Sequence, residues 1–209
     1  MTEPAMQLAA EAAQGPSEIV SEGPEVVGFR VRAGARILDT LVCLAISAVA
    51  GIVAFVLLSI VASLGGLPAD WFQKAQETGV TGFLWGLTAV TLYHTVAEAV
   101  GGATIGKLIV GVRVLSDDFR PCSIKGAAIR SLGYCLDSLF LGMVAYSFMS
   151  DSPLKQRVGD KWGRTVVVKA ASVPAGSRRG GGLVFVGAAG GGAVAMLCYG
   201  FSVVFNALL

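Results

Sequence analysis

Two Arg–Asp pairs with the same spacing lie in otherwise apolar parts of the chain. Arg32 precedes Asp39 by seven residues, and Arg130 precedes Asp137 by seven. Seven residues are two helical turns, so each pair lies on one helix face, about 10.5 Å apart along the axis. Because that separation is too long for a good ion pair, we expect partners on a neighbouring helix. Charges in membrane segments are costly, so these four residues are the first candidates for function.

Glu98 and His94 extend this set, since His94 lies one helical turn before Glu98 on the same face. A carboxylate whose pKa is raised by burial and lowered by a cation can exchange a proton for an ion, and Asp39, Glu98 and Asp137 are the candidates. Glu98 has no arginine in its own motif, so it is the preferred proton-binding group. His94 is a candidate proton relay, with a hydrogen-bonded core histidine as the alternative.

The same charges have a structural interpretation. Each Asp would pair with the Arg of the other motif and hold the first and third helices in register, as a clasp. Nearby arginines would also keep both Asp residues ionised, which argues against proton exchange there. The ion-site and helix-clasp candidates are therefore the same residues, namely Arg32, Asp39, Glu98, Arg130 and Asp137.

The elements that must position these charges are predicted to be membrane helices. The 209 residues are 54% hydrophobic and 14% charged, with a mean hydropathy of +0.70, which is outside the usual range for a soluble domain. Residues 40–69, 78–97 and 180–209 lack Asp, Glu, Lys and Arg, and each reaches the roughly 20 residues that cross a bilayer. Residues 131–150 form a weaker apolar stretch, interrupted by Asp137 and two glycines.

The distribution of basic residues predicts the topology, because short cytoplasmic loops collect Lys and Arg. Residues 101–130 hold five of the 16 and residues 151–182 hold seven, so both segments are expected inside, together with the N-terminus. A full crossing by residues 131–150 would place the second basic segment outside. We therefore favour a broken, re-entrant helix with halves at 124–137 and 139–150; a single tilted span with an external basic loop is the alternative.

These observations predict an all-α polytopic protein of the inner (cytoplasmic) membrane. It would have three long transmembrane helices, a broken or re-entrant third helical segment, and short cytoplasmic β strands at 108–115 and 165–169. Residues 1–27, with five glutamates and no Lys or Arg, are expected to form a disordered acidic tail. Residues 28–169 would be the membrane domain, 170–182 a basic linker, and 183–209 an additional transmembrane helix.

Small residues in the last apolar run lie four apart, as in Gly187 and Gly191. This spacing allows close helix packing, which we expect within the chain rather than in a specific dimer. The four cysteines have no CxxC spacing, so neither a disulfide nor a metal site is predicted.

A basic cluster surrounds Trp162. Such a cluster suits anionic lipid headgroups or a partner, and ordinary anchoring at the cytoplasmic surface is the simpler alternative. Asp160, among these cations, is expected to be a salt-bridge hub. Lys107 lies in GGATIGK, which matches seven positions of a phosphate-binding loop, but Leu108 replaces the required Ser or Thr, so we expect Lys107 to contact lipid phosphates instead. The predicted headgroup or partner contacts are Lys107, Lys155, Arg157, Lys161, Trp162 and Arg164.

The order of these motifs resembles that of the RDD family of small membrane proteins, over about residues 28–169. Arg36 departs from the family pattern, because an apolar or aromatic residue is more usual there. The segments that carry the resemblance are GFRVRAGARILD (28–39), LYHTVAE (92–98), GGATIGKLIVGVRV (101–114), AAIRSLGYCLD (127–137) and KQRVGDKWGRTVVV (155–168).

The resemblance implies transport, since cation/proton exchange has been attributed to some members of this family. The alternative is a structural or accessory subunit of a larger membrane complex. A chain this small leaves little room for a transport path, so a homo-oligomer or a complex is expected, within the lipid bilayer. No motif indicates an enzyme, a cofactor or nucleic-acid binding.

Overall fold

A computed structural model describes residues 23–76, 79–134 and 142–208 of the chain. Long apolar helices form one part of the molecule, and a small sheet with short helices forms the other. The elements are α1 (Phe29–Ser63), α2 (Trp71–Gln76), α3 (Gly79–Gly101), α4 (Ile105–Ile109), β1 (Val112–Ser116), α5 (Ile124–Leu132), α6 (Met143–Ser150), α7 (Val158–Trp162), β2 (Thr165–Lys169), two 3-10 turns (Ala170–Ser172 and Ala175–Ser177) and α8 (Gly181–Leu208).

Two segments of the described chain are long and apolar enough to cross a membrane, namely α1 and Ala175–Leu208, which contains α8. Only 22% and 28% of their most apolar windows are buried within the chain, so their outer faces present apolar side chains to the surroundings. Helix α3 does not meet the same criterion. Its sequence carries four threonines, His94 and Glu98 among its apolar residues, and the third predicted long span is therefore not confirmed.

Helix α8 packs most extensively against α3 and also contacts α1. The approach is close because glycines face backbone: a Cβ on Gly187 would lie 2.5 Å from the backbone nitrogen of Gly101, and one on Gly191 would lie 2.7 Å from the carbonyl oxygen of Tyr93. The prediction that this glycine spacing packs helices within the chain is confirmed. Helix α8 therefore packs against both α3 and α1.

The predicted strands form an antiparallel two-stranded sheet, with Val112 opposite Lys169 and Ser116 opposite Thr165. The first strand begins later than predicted, because residues 105–109 form α4. Thr104 caps this helix by accepting a hydrogen bond from the backbone N–H of Lys107, so the local capping signal prevails over β-branched composition.

The ends of the predicted membrane domain are partly ordered against the sheet. Residues 1–22 of the predicted acidic tail lie outside the described part of the chain, but residues 23–27 run extended and Val26 bridges to Val168. The prediction of disorder is thus wrong for these last residues, because burying Val27 offsets the cost of ordering them. Asp137 and the centre of the predicted re-entrant segment also lie outside the described residues, so the choice between re-entrant and full crossing stays a prediction.

The contact between α3 and α8 can be tested with Gly187→Ala. The added methyl group would overlap the α3 backbone, so we expect a loss of about 1–3 kcal/mol in the free energy of unfolding. Gly200→Ala is the matched control, because no heavy atom lies within 4 Å of its would-be Cβ. Thermal unfolding in detergent should show a lower Tm for the first variant only; equal effects would contradict the packing.

Candidate functional site

The buried carboxylate of Asp160 binds three guanidinium groups from three different elements. Its Oδ2 lies 2.5 Å from Nη1 of Arg32 on α1 and 3.5 Å from Nε of Arg157, and its Oδ1 lies 3.0 Å from Nη2 of Arg130 on α5. The predicted salt-bridge hub at Asp160 is confirmed. Sequence reasoning had not included Arg32 or Arg130 among its partners.

Local structure around α7 explains how Asp160 reaches this position. Its carboxylate accepts the backbone N–H of Arg157 at 3.2 Å, which closes a capping box at the start of the helix. Glycines then let α7 lie directly on α5, because a Cβ on Gly163 would be 2.6 Å from the carbonyl oxygen of Gly126. The helix therefore delivers a carboxylate to the side of α5 that carries Arg130.

Burial by itself raises the pKa of Asp160, but the guanidiniums of Arg130, Arg157 and Arg32 outweigh it and hold this pKa well below the ordinary value. The carboxylate is thus ionised at neutral pH and acts as a counter-ion. It has no role as a proton acceptor in that range.

Glu98 is the second fully buried carboxylate and joins the same network. Its Oε1 accepts from Nζ of Lys107 at 2.8 Å, and its Oε2 lies 3.2 Å from Nη1 of Arg130. Arg130, which has 0% exposed surface, therefore bridges Glu98 and Asp160 and connects α3, α5 and α7. The expectation that Glu98 lacks a charged partner is wrong, because partners come from elements distant in sequence.

Asp39 is held by hydrogen-bond donors and not by an arginine. Its Oδ1 accepts from the Tyr93 hydroxyl at 3.1 Å and from the backbone N–H of Gly106 at 2.8 Å, and its Oδ2 accepts from the Thr104 hydroxyl at 2.6 Å. The predicted pairing of Asp39 with Arg130 is wrong, since Arg130 is engaged by the other two carboxylates. Pairing of Arg32 with Asp137 stays a prediction, because Asp137 lies outside the described residues.

Lys107 lies between the two acidic groups on α1 and α3. Its ammonium is 2.8 Å from Glu98, 3.3 Å from the Thr104 hydroxyl and 3.9 Å from Asp39. The side chain is buried, so its predicted contact with lipid phosphates is wrong: the glycine-rich turn folds inward and supplies a cation to the acidic groups. Burial lowers the pKa of Lys107, but the attraction of Glu98 exceeds this effect and the pKa is raised overall.

His94 is a neutral, hydrogen-bonded core residue. Nη1 of Arg36 lies 2.6 Å from its Nε2, and its Nδ1 lies 3.4 Å from Oε1 of Glu98. A guanidinium can only donate, so Nε2 must be the acceptor and Nδ1 must carry the proton toward Glu98. Arg36, which departs from the family pattern, thereby selects one tautomer, and its guanidinium also stacks 4.3 Å from the ring centroid of Tyr134.

The basic cluster divides into a buried and an exposed part. Arg157 is buried beside Asp160, so its predicted contact with headgroups is wrong. Arg164 pairs with Asp117 at 3.1 Å while staying exposed, and Trp162 is 58% exposed. The predicted headgroup or partner contacts that stay accessible are Lys155, Lys161, Trp162 and Arg164.

The sequence analysis did not identify two site residues, Tyr93 and Thr104, and it noted Arg36 only as a departure from the family pattern. A signal for Thr104 was present, since Thr is a preferred N-cap residue, and its side chain accepts the backbone N–H of Lys107 here. The structure adds the reason for Gly106, because a Cβ there would lie 2.8 Å from Cγ of Asp39. The turn is therefore glycine-rich so that its backbone can reach the carboxylate.

The described residues contain no group of three or more His, Cys, Asp or Glu side chains that could hold a metal. Within that same part of the chain the network has five cations and three carboxylates. The excess of two positive charges is the difference between Arg32, Arg36, Lys107, Arg130 and Arg157 on one side and Asp39, Glu98 and Asp160 on the other.

Comparison with known proteins identifies a family over two thirds of the chain. Residues 26–164 match the sequence profile of the RDD family, and this region contains the whole charge network. No curated protein and no solved structure matches the chain.

The hub can be tested with Asp160→Asn, which leaves three guanidiniums without their shared carboxylate. We expect a loss of about 3–5 kcal/mol in the free energy of unfolding, because buried charges become uncompensated. Asp117→Asn is the matched control, and its exposed pair with Arg164 should contribute less than about 1 kcal/mol. Chemical unfolding in detergent measures both; similar losses would contradict a buried hub.

Acid should destabilise the wild-type protein through the same carboxylate. The folded-state pKa of Asp160 is depressed, so its contribution is fully present above the ordinary pKa of 3.8 and is lost as pH falls below that value. Asp160→Asn should lack this part of the pH dependence. Unfolding curves of the wild-type and Asp160→Asn proteins, recorded as the pH falls below 3.8, measure this difference. Equal losses of unfolding free energy in the two proteins would contradict the role of Asp160.

Proposed function

This chain belongs to the RDD family, and on that premise we propose that it exchanges a monovalent cation for a proton across a membrane at Lys107. The observation that carries the proposal is the placement of one buried ammonium between carboxylates on two membrane-domain helices. Glu98 on α3 and Asp39 on α1 both face Nζ of Lys107, at 2.8 and 3.9 Å. A tethered cation thus occupies a position that a free cation could take.

The ligand set around that position suits an alkali cation. Carboxylate oxygens of Glu98 and Asp39 and the hydroxyl oxygen of Thr104 converge on Nζ, and hard cations prefer such oxygen ligands. Asp39 is also held by the backbone N–H of Gly106 and by the Tyr93 hydroxyl. Its carboxylate is therefore fixed in place when the ammonium moves.

The exchange step conserves charge at the site. Lys107 releases a proton to water and becomes a neutral amine, and one monovalent cation enters between Asp39 and Glu98. A cavity of about 180 Å³ borders Asp39, Arg36 and His94 between α1, α3 and α8, and it offers an approach to the Asp39 side of the site. The expected stoichiometry is one proton for one cation.

Exchange should increase with pH. Because the pKa of Lys107 is raised, the protonated form closes the site at neutral pH. At pH values below that pKa, the fraction of Lys107 that is a neutral amine increases about tenfold for each unit by which the pH rises. A free cation therefore competes better with the ammonium in alkaline solution.

The membrane arrangement forms part of the proposal. Two helices long and apolar enough to span, in a family that is usually membrane-associated, support a membrane protein. We propose that α3 crosses as well, that the protein lies in the inner membrane, and that the N-terminus and the basic segments are cytoplasmic. The small size favours a homo-oligomer, in which exposed apolar faces of α1 and α8 contact another copy or lipid.

A non-catalytic subunit of a membrane complex is the second candidate. The bridge formed by Arg130 between Glu98 and Asp160 favours it, because each of these carboxylates has cationic partners in the folded chain. In that case the network specifies the arrangement of α1, α3, α5 and α7 and no ion moves.

Proteoliposomes with an imposed pH gradient would test the exchange. Wild-type protein should show alkali-cation-dependent proton flux that increases toward alkaline pH, and Lys107→Met should lose nearly all of it because no proton is exchanged. Lys155→Met is the matched control, since Lys155 is exposed and outside the site. Unfolding curves should first show that both variants are folded.

Two outcomes would contradict the exchange. One is equal flux in wild-type and folded Lys107→Met protein. The other is the absence of flux in wild-type protein for every alkali cation, and fixed co-purifying partners would then favour the subunit.

A further inference from the structure

A second cationic site lies outside the network, where α3 ends and α8 begins. It is a cleft of about 220 Å³ between the sheet and the turns before α8. Three arginines, Arg113, Arg178 and Arg179, line it together with Gly101 and Gly102. We call it the arginine cleft.

Two of the arginine side chains converge on one point. From the position of a would-be Cβ on Gly102, Cδ of Arg113 lies 3.9 Å away and Cδ of Arg179 lies 4.0 Å away. Gly102 has a φ of +73°, a left-handed conformation that favours glycine and turns the chain out of α3. The stems of two arginine side chains therefore pass the same side of a tight turn.

These arginines have no acidic partner among the described residues. Their hydrogen bonds go to main-chain carbonyls: Arg113 donates to Val112, Arg178 to Val173, and Arg179 to Cys122. Arg32, Arg130 and Arg164, by contrast, each pair with a carboxylate.

Arg113 and Arg179 are partly buried, whereas Arg178 is exposed. Partial burial lowers the pKa of Arg113, and no carboxylate among the described residues opposes this shift. Nε of Arg179 is buried and has no acceptor within the described part of the chain. Guanidinium groups placed in this way lack the bidentate acceptor that their geometry suits, which is a carboxylate or a phosphate.

We propose that the arginine cleft binds the phosphate of an anionic phospholipid headgroup. Arg178 and Arg179 lie three and two residues before Gly181, the first residue of the apolar helix α8. The cleft therefore lies at the level where headgroups meet a membrane-spanning helix. The N-terminus of this long helix adds favourable potential for an anion.

Binding to lipid in detergent would test the site on the full chain. Native mass spectrometry with added phosphatidylglycerol should show saturable binding that exceeds phosphatidylcholine binding. The double variant Arg113→Gln/Arg179→Gln should weaken it by roughly tenfold or more, since two charge-assisted contacts are lost. The matched control Arg120→Gln/Lys169→Gln removes two exposed cations that pair with exposed carboxylates, and it should leave binding within about twofold, as expected for surface ion pairs.

A second arm separates the two sources of phosphate. If inorganic phosphate raises the Tm of wild-type protein but not of the double variant, the phosphate site is supported and a soluble ligand is its source. If phosphatidylglycerol raises this Tm and inorganic phosphate does not, binding of the lipid headgroup is supported. Equal lipid binding by the double variant and by wild-type protein would overturn the proposal, and so would equal losses in the double variant and its control.

The charge-conserving variant Arg113→Lys/Arg179→Lys addresses folding. It should keep the fold and bind lipid more weakly than wild type, because lysine lacks the bidentate fork. Full binding by this variant would contradict recognition by guanidinium geometry.

Discussion

The structure depends on the burial of one guanidinium group. Arg130 has no exposed surface and cannot lose its charge in a protein, so it requires carboxylates inside the fold. Glu98 and Asp160 supply them from opposite directions in the chain, at 3.2 and 3.0 Å. Every element that delivers one of these groups must therefore lie against α5.

Glycines make this arrangement sterically accessible. The contacts of α5 with α7, of the turn at Gly106 with Asp39, and of α8 with α3 each depend on a position where a Cβ would meet backbone or carboxylate atoms. Because the backbones approach closely, the oppositely charged groups lie near one another and water is excluded from between them. Electrostatic pairing and glycine packing therefore depend on each other. Replacing a glycine would separate the paired charges and admit water, and removing a charge would leave its partner buried without a counter-ion.

Cationic side chains have different roles in the buried network and in the arginine cleft. Inside the network, the Lys107 ammonium lies between Glu98 and Asp39, which is the basis for proposing ion exchange. In the arginine cleft the arginines have no carboxylate partner within the described part of the chain, which is the basis for proposing a lipid ligand. A lysine suits the first role because its pKa can change with its environment, and arginine suits the second because its charge persists.

The sequence alone determined the family, the apolar helices, the pairing of two strands and the residue types of the network, because periodicity, hydropathy and motif order are local properties. It also indicated Asp160 as a hub, since one carboxylate among many cations must be paired. Which charges pair depends on the three-dimensional fold. Arg130 joins Glu98 and Asp160, Lys107 turns inward, and Asp39 is held by hydroxyl and amide donors. These pairings join residues up to 128 positions apart, and a spacing of seven within one helix carries no information about which neighbouring helix supplies the partner.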